Sequence, residues 1–325
     1  TLPSSAESPR PNIVFFLVDD LGWADLACYG STLHETPHID RLAASGLRFT
    51  DAYTAASICS PTRAAIMTGK HPVRVNITDW IPGRNPPKDA RLDTPVDIHQ
   101  LPLEETTIGE AFKEHGYATY YTGKWHLGGQ GFSPDKQGFD TYYDPHKDSS
   151  KGSPGKGKTK RRKHGTLEIT EQTIKFIKSQ TAKPSSPNHS ITNNQSPFFA
   201  YISYYDVHTP IIPVKERLAH YQAKVDKLGD SPGPIKEHDG VSRPRQDNAQ
   251  FATMVEAVDN SVGKLLKTLD ELNGHPKVGA SWEGFAIEQV LRLTGTGQAY
   301  FWGTPSGAEL DLLVIRDGRL SLIHI

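Results

Sequence analysis

The sequence predicts an α/β fold built on a mostly parallel sheet, and three observations predict it. Short apolar runs rich in β-branched and aromatic residues recur as "NIVFFLV" (12–18), "YATYYT" (117–122) and "FFAYISYY" (198–205), a composition that suits strands buried on both faces. Between them lie segments carrying helix start and stop signals. Polar residues gather directly after the runs, at the strand ends where an open parallel sheet presents its ligands.

Each element can be read in turn. "NIVFFLV" ends abruptly in Asp19-Asp20. "TPHIDRLAASG" (36–46) reads as a helix, with Thr36 as N-cap, Pro37 at the first helical position, Gly46 as the stop, and Ile39, Leu42 and Ala43 on one face. "LRFTDAYT" (47–54) reads as a strand, and Ser60-Pro61 then opens a helix continued by "TRAAIMTG", which puts Cys59 at a helix N-terminus. Thr107 and Glu110 form a capping box, Ile108, Ala111 and Phe112 face inward, Gly116 closes that helix, and the next strand delivers Lys124 and His126. The strand at 198–205 delivers Asp206 and His208. From Asn248 to Gly274 an amphipathic helix carries Phe251, Val255, Val258, Val262, Leu265, Leu269 and Leu272 on one stripe.

Composition narrows the class of partner. The 325 residues are enough for a sizeable core, and the net charge of -1 supplies no global field for nucleic acid or a membrane surface. No nucleic-acid or membrane partner is expected. The longest purely apolar run is the six residues "IVFFLV", against the roughly 20 of a membrane helix. Two cysteines, Cys28 and Cys59, cannot make a disulfide scaffold. Lys156, Lys158, Lys160, Arg161, Arg162 and Lys163 cluster in the polar stretch 144–165, which reads as a solvated loop or as a docking surface for an anionic polymer; 180–197 is a second polar loop. "TLPSSAESPRP" lacks a signal-peptide pattern, and a secreted or periplasmic location, with the leader not seen, is the expectation.

Asp19, Asp20, Cys59, Arg63, Lys124, His126 and His208 would all fall on one rim of the sheet, an assembly suited to an active site. Singly, each has an ordinary explanation: a turn or cap for the carboxylates, packing for the thiol, exposed surface for the cations and imidazoles. Their coincidence carries the argument.

Together they resemble the sulfatase family, whose Cys-x-Pro-x-Arg hallmark stands here as Cys59-Ser60-Pro61-Thr62-Arg63, extended by "AAIMTGKHP". The resemblance also covers "PNIVFFLVDDLGWADLACYG", "TPHIDRLAASGLRFTDAY", "GYATYYTGKWHLG", "PFFAYISYYDVHTP" and "MVEAVDNSVGKLLKTLDEL", from residue 11 to about 273. It implies an alkaline-phosphatase-like sheet flanked by helices and hydrolysis of sulfate esters. It implies that Cys59 is oxidised to formylglycine by a formylglycine-generating enzyme that reads Pro61 and Arg63, giving a hydrate that attacks sulfur and then expels sulfate. It further implies one Ca²⁺ ion held by Asp19, Asp20 and the converted Cys59, with Arg63 on the hydrate, Lys124 on sulfate oxygens, His126 on the formylglycine and His208 near the leaving oxygen. "HPVRVNITDWIPGR" is similar to family members that degrade sulfated polysaccharides, which makes a sulfated glycan the preferred substrate.

The family's later Asp-Asn metal ligands have no counterpart: Asp259-Asn260 falls inside the long helix, and Asp247-Asn248 has no strand ahead of it. The expectation is therefore a truncated sulfatase domain over 1–274 with half a cation cage, followed by a short α+β tail over 275–325. The tail resembles the nuclease-like C-terminal domain of a bacterial ATPase family, through a helix bearing Glu283 and a hairpin carrying Glu309-x-Asp311. Two alternatives to the hydrolase remain: a non-catalytic binder of sulfated polymers, and an alkaline-phosphatase-like phosphoesterase.

Overall fold

The computed structural model describes residues 10–83, 91, 95–146, 165–181, 197–237, 240–272, 311–316 and 319–324. Strand β1 (Ile13–Asp19) is buried on both faces because its side chains alternate between two cores. Val14 and Phe16 join one core; Ile13, Phe15 and Leu17 join the other. Helix α1 (Pro37–Ser45) follows, then α2 (Cys59–Thr68) and α3 (Ile108–Glu114), with the Thr107–Glu110 capping box in place. Strands β2 (Ala118–Gly123) and β3 (Thr141–Tyr143), helix α4 (Thr166–Thr181) and strand β4 (Phe198–Val207) come next. The chain continues with α5 (Lys215–Asp226), the two-residue strands β5 (Ile235–Lys236) and β6 (Val241–Ser242), and the long α6 (Ala249–Leu272). Strands β7 (Asp311–Arg316) and β8 (Arg319–His324) complete the described residues.

The main sheet runs β3-β2-β4-β1-β7-β8. Its first four strands are parallel, with Thr119 of β2 and Ile13 of β1 both level with Phe199 of β4. Strand β7 pairs antiparallel with β1, and β8 with β7. Apolar residues of α1, α4 and α6 cover one face, whereas α2 and α3 cover the other through Ala64, Met67, Ile108 and Phe112. The result is a sheet sandwiched between two helical layers, which aligns the carboxyl ends of β1, β2 and β4 along one edge.

Two expectations from the sequence need correction. Residues 47–54 form no strand: Leu47 and Tyr53 are exposed, and a half-exposed segment without a neighbouring strand has nothing to complete its hydrogen bonding. Thr36 does not cap α1 either, because its hydroxyl accepts from the Ala27 N–H and donates to Asp40, both at 2.9 Å. The free N–H groups of His38 and Ile39 are instead accepted by the buried carboxylate of Asp259, at 3.1 and 2.8 Å to Oδ1. The Asp259 carboxylate inside α6 is thus a cap supplied to another helix. Most of the two polar loops (147–164 and 182–196), Glu283, Glu309 and the proposed junction near 274 lie outside the described residues.

Candidate active site

At the end of β1 the parallel register breaks, jumping from Val18–Tyr204 to Asp19–Val207, and Asp20 takes a left-handed φ of 63°. This irregularity turns successive carboxylates toward one place instead of to opposite faces of the sheet. Both line a cavity of about 250 Å³, together with Gly22, Thr54, Cys59 and Arg63. Cys59 begins α2 after Ile58, an extended residue that offers no side-chain cap, so the first N–H groups of the helix have no capping oxygen from it.

Arg63 lies one turn further along α2 and is fully buried. Its Nη2 meets Asp19 Oδ1 at 3.1 Å, and its Nη1 donates to the Lys124 carbonyl and to Ser203 Oγ at 2.7 and 2.6 Å. Lys124 Nζ donates to Asp19 Oδ2, and the Tyr121 hydroxyl reaches the Lys124 carbonyl at 2.5 Å. Burial alone would raise the Asp19 pKa; the charges of Arg63 and then Lys124 more than offset it and hold the carboxyl below its usual range. Two cations therefore share the Asp19 carboxylate, while Asp20 lines the same cavity without pairing to either of them.

The imidazoles are placed by backbone bonds. His208 Nδ1 lies 2.6 Å from the Thr209 carbonyl, which makes it the protonated nitrogen, and Nε2 stands 3.6 Å from Asp20 Oδ2. His126 Nε2 lies 2.6 Å from the Ile81 carbonyl, with the backbone at φ 56°. Burial, reinforced by Lys124 and Arg63 and opposed by the Ile81 bond, holds the His126 pKa below the ordinary imidazole value. Cys28, the second thiol, is a different case: burial and then Asp40 push it up to about 11, which keeps it protonated and inert.

The structure therefore brings Asp19, Asp20, Cys59 and Arg63 to one cavity, attaches Lys124 through Asp19 and sets His208 beside Asp20. His126 is connected more indirectly, through the Ile81 backbone. Ser203, Tyr121 and Ile81 were not singled out from the sequence. Ser203 could have been, as the small polar residue inside the apolar run "FFAYISYY", level with Gly123 of β2. A cation site is only half built. Both Asp19 oxygens face protein cations, and among the described residues no group of three His, Cys, Asp or Glu side chains could hold a metal ion. Asp19 and Asp20 would supply hard oxygen donors to a Ca²⁺ ion, and the described residues bring no third acidic, histidine or cysteine ligand to them.

The class of fold is an α/β sheet that gathers a thiol at a helix N-terminus, two carboxylates and two cations at the carboxyl ends of its strands. The family model described as Sulfatase matches residues 11–278, and the chain belongs to that family. It is 46% identical to human arylsulfatase A over 132 residues, covering 40% of this chain and 24% of the relative. It is 31% identical over 305 residues to rat N-acetylgalactosamine-6-sulfatase, covering 83% and 48%, and 27% identical over 328 residues to mouse arylsulfatase G, covering 87% and 60%. The chain thus spans between a quarter and three fifths of these relatives' lengths. Among solved structures, Ps i-CgsB in complex with k-i-k-neocarrahexaose is similar at a TM-score of 0.58 and 28% identity, over 82% of this chain and 56% of that one. A structure from work on glycosaminoglycan metabolism by Bacteroides thetaiotaomicron shares the fold at a TM-score of 0.59 and 22% identity, over 98% and 72%. The nuclease-like resemblance of the tail finds no support in these similarities.

Proposed function

We propose that this chain carries the nucleophile half of a sulfuric ester hydrolase acting on sulfated glycans. One observation carries the reading: Cys59, first residue of the Cys-x-Pro-x-Arg signal, opens α2 on the same cavity as Asp19, Asp20 and Arg63. Oxidised to formylglycine, position 59 would present a hydrated aldehyde, one hydroxyl attacking sulfur and the other expelling sulfate. The chain's own groups then have defined tasks. The helix N-terminus, with Arg63 and Lys124 behind it, attracts the sulfate group. Arg63, locked by Asp19, Ser203 and the Lys124 carbonyl, cannot swing away and orients whatever stands at position 59. His126 accepts a proton from it, and His208, whose Nδ1 proton is tied to the Thr209 carbonyl, would serve the leaving oxygen through Nε2 after that nitrogen takes up a proton. A Ca²⁺ ion held by Asp19 and Asp20 would polarise the sulfate.

The glycan preference is supported by the relatives named for N-acetylgalactosamine-6-sulfate and by the oligosaccharide complex of Ps i-CgsB. The test is co-expression with a formylglycine-generating enzyme, followed by intact mass and by turnover of an aryl sulfate against an aryl phosphate. The expected result is aldehyde at position 59 and sulfate turnover that disappears in Cys59→Ala. Preferred turnover of the phosphate would favour the phosphoesterase. Retention on heparin without turnover, unchanged by Cys59→Ala, would leave a binder of sulfated polymers.

A further inference from the structure

Ser60 fills the variable position between Cys59 and Pro61 and is fully buried. Although it sits in the first turn of α2, its hydroxyl does not serve that helix alone: Ser60 Oγ accepts the Ile81 N–H at 3.1 Å. The same residue's carbonyl oxygen lies 2.6 Å from His126 Nε2. One residue of the 76–83 segment therefore bridges the start of the nucleophile helix and the imidazole that follows β2. A carbonyl oxygen can only accept, so Nε2 carries the ring proton and Nδ1 carries the lone pair. That Nδ1 is buried and has no hydrogen-bond partner among the described residues.

A left-handed backbone at His126 is sparsely populated for a residue with a side chain, and it persists when surrounding contacts hold it. We propose that Ser60 is a positioning residue for His126: by holding the Ile81 backbone it places the carbonyl that fixes the ring as the Nε2–H tautomer and keeps Nδ1 as the ring's proton acceptor. The inference rests on the hydrolase reading only for the use made of that acceptor. The hydrogen-bond relay itself is independent of whether Cys59 is converted. Loss of the Ser60 hydroxyl frees the Ile81 N–H, loosens the Trp80–Ile81 peptide and with it the position of the neighbouring Ile81 carbonyl, and gives the ring a choice of tautomers.

The relay is read by long-range proton–nitrogen correlation on the full chain with isotope-labelled histidine, the His126 signals being assigned by their loss in His126→Gln. The wild type is expected to show the Nε2–H form, Ser60→Ala a mixture, and Ser60→Thr, which keeps the hydroxyl, the wild-type pattern. In preparations matched for aldehyde content by intact mass, kcat in Ser60→Ala should fall about tenfold with KM little changed, and Ser60→Thr should recover most of it. An Nδ1–H ring in the wild type, or an unchanged His126 spectrum in Ser60→Ala, overturns the proposal. A tautomer shift in Ser60→Ala with no sulfate turnover by the wild type supports the relay and removes the hydrolase reading instead.

Discussion

Arg63 Nη2 and Asp19 Oδ1 stand 3.1 Å apart in the interior, the one on the helix that begins with Cys59 and the other at the end of β1. The pair ties the nucleophile helix to the sheet. Arg63→Met should remove both this bond and those to Ser203 and the Lys124 carbonyl, leaving a buried carboxylate with Lys124 alone. Urea unfolding should show a loss of about 3–5 kcal/mol. Arg63→Lys, which restores the charge without the planar fork, should recover only part of it. The double variant with Asp19→Asn should be no more stable than Arg63→Met, since Lys124, itself buried, then loses the carboxylate that pairs it.

Gly123 closes β2 at φ 93°, and a Cβ there would lie 1.8 Å from the Ser203 carbonyl oxygen. That same oxygen accepts the Lys124 N–H at 3.0 Å. Gly123→Ala therefore has to push β2 away from β4 at the point where Lys124 is aimed at Asp19. A cost of roughly 4 kcal/mol or a failure to accumulate folded protein is expected, read by circular dichroism and thermal unfolding. Gly229→Ala, at φ 72° with open space around it, should cost far less.

Asp259 gives the pH dependence a sign. Burial raises its pKa from 3.8 to about 6 despite the bonds from Ile39 and His38. An acid whose folded-state pKa is raised holds its proton more tightly when folded, so its contribution is fully present below 3.8 and is lost as pH rises through about 6. Asp259→Asn cannot titrate. Its stability relative to wild type should improve by on the order of 3 kcal/mol between acid and neutral conditions, measured by urea unfolding across that range. Asp259→Ala should be destabilised throughout, because the α1 amides lose their acceptor.

The incomplete cation cage predicts weak binding. Calorimetric titration should give a Ca²⁺ dissociation constant of about 10⁻⁴ M or weaker, and a chelator should leave the unfolding temperature unchanged. Tight one-to-one binding would require a ligand outside the described residues.

Much of the fold was legible because its signals are local. The apolar runs in "NIVFFLV" and "FFAYISYY", the Thr107–Glu110 box and the stripe of α6 each declare an element within a few residues, and all four formed. The error at 47–54 has the same origin: a local stretch shows what could be a strand, but a strand also needs a partner, which lies elsewhere in the chain. The Asp-Asp pair and Cys-Ser-Pro-Thr-Arg were visible as motifs for the same reason of proximity.

Residue order alone indicated the parallel α/β plan and the family, and it marked a set of polar side chains at the strand ends as candidates. Folding settled what those side chains do to one another: Asp19 held between Arg63 and Lys124, Ser203 and Ile81 drawn in, Asp259 turned into a cap. These contacts join residues separated by 44, 105, 140 and 221 positions, where sequence spacing carries no geometric information. They arise only when hydrophobic packing of two helical layers against the sheet brings distant groups into a low-dielectric interior, where an unpaired charge or amide is too costly to leave.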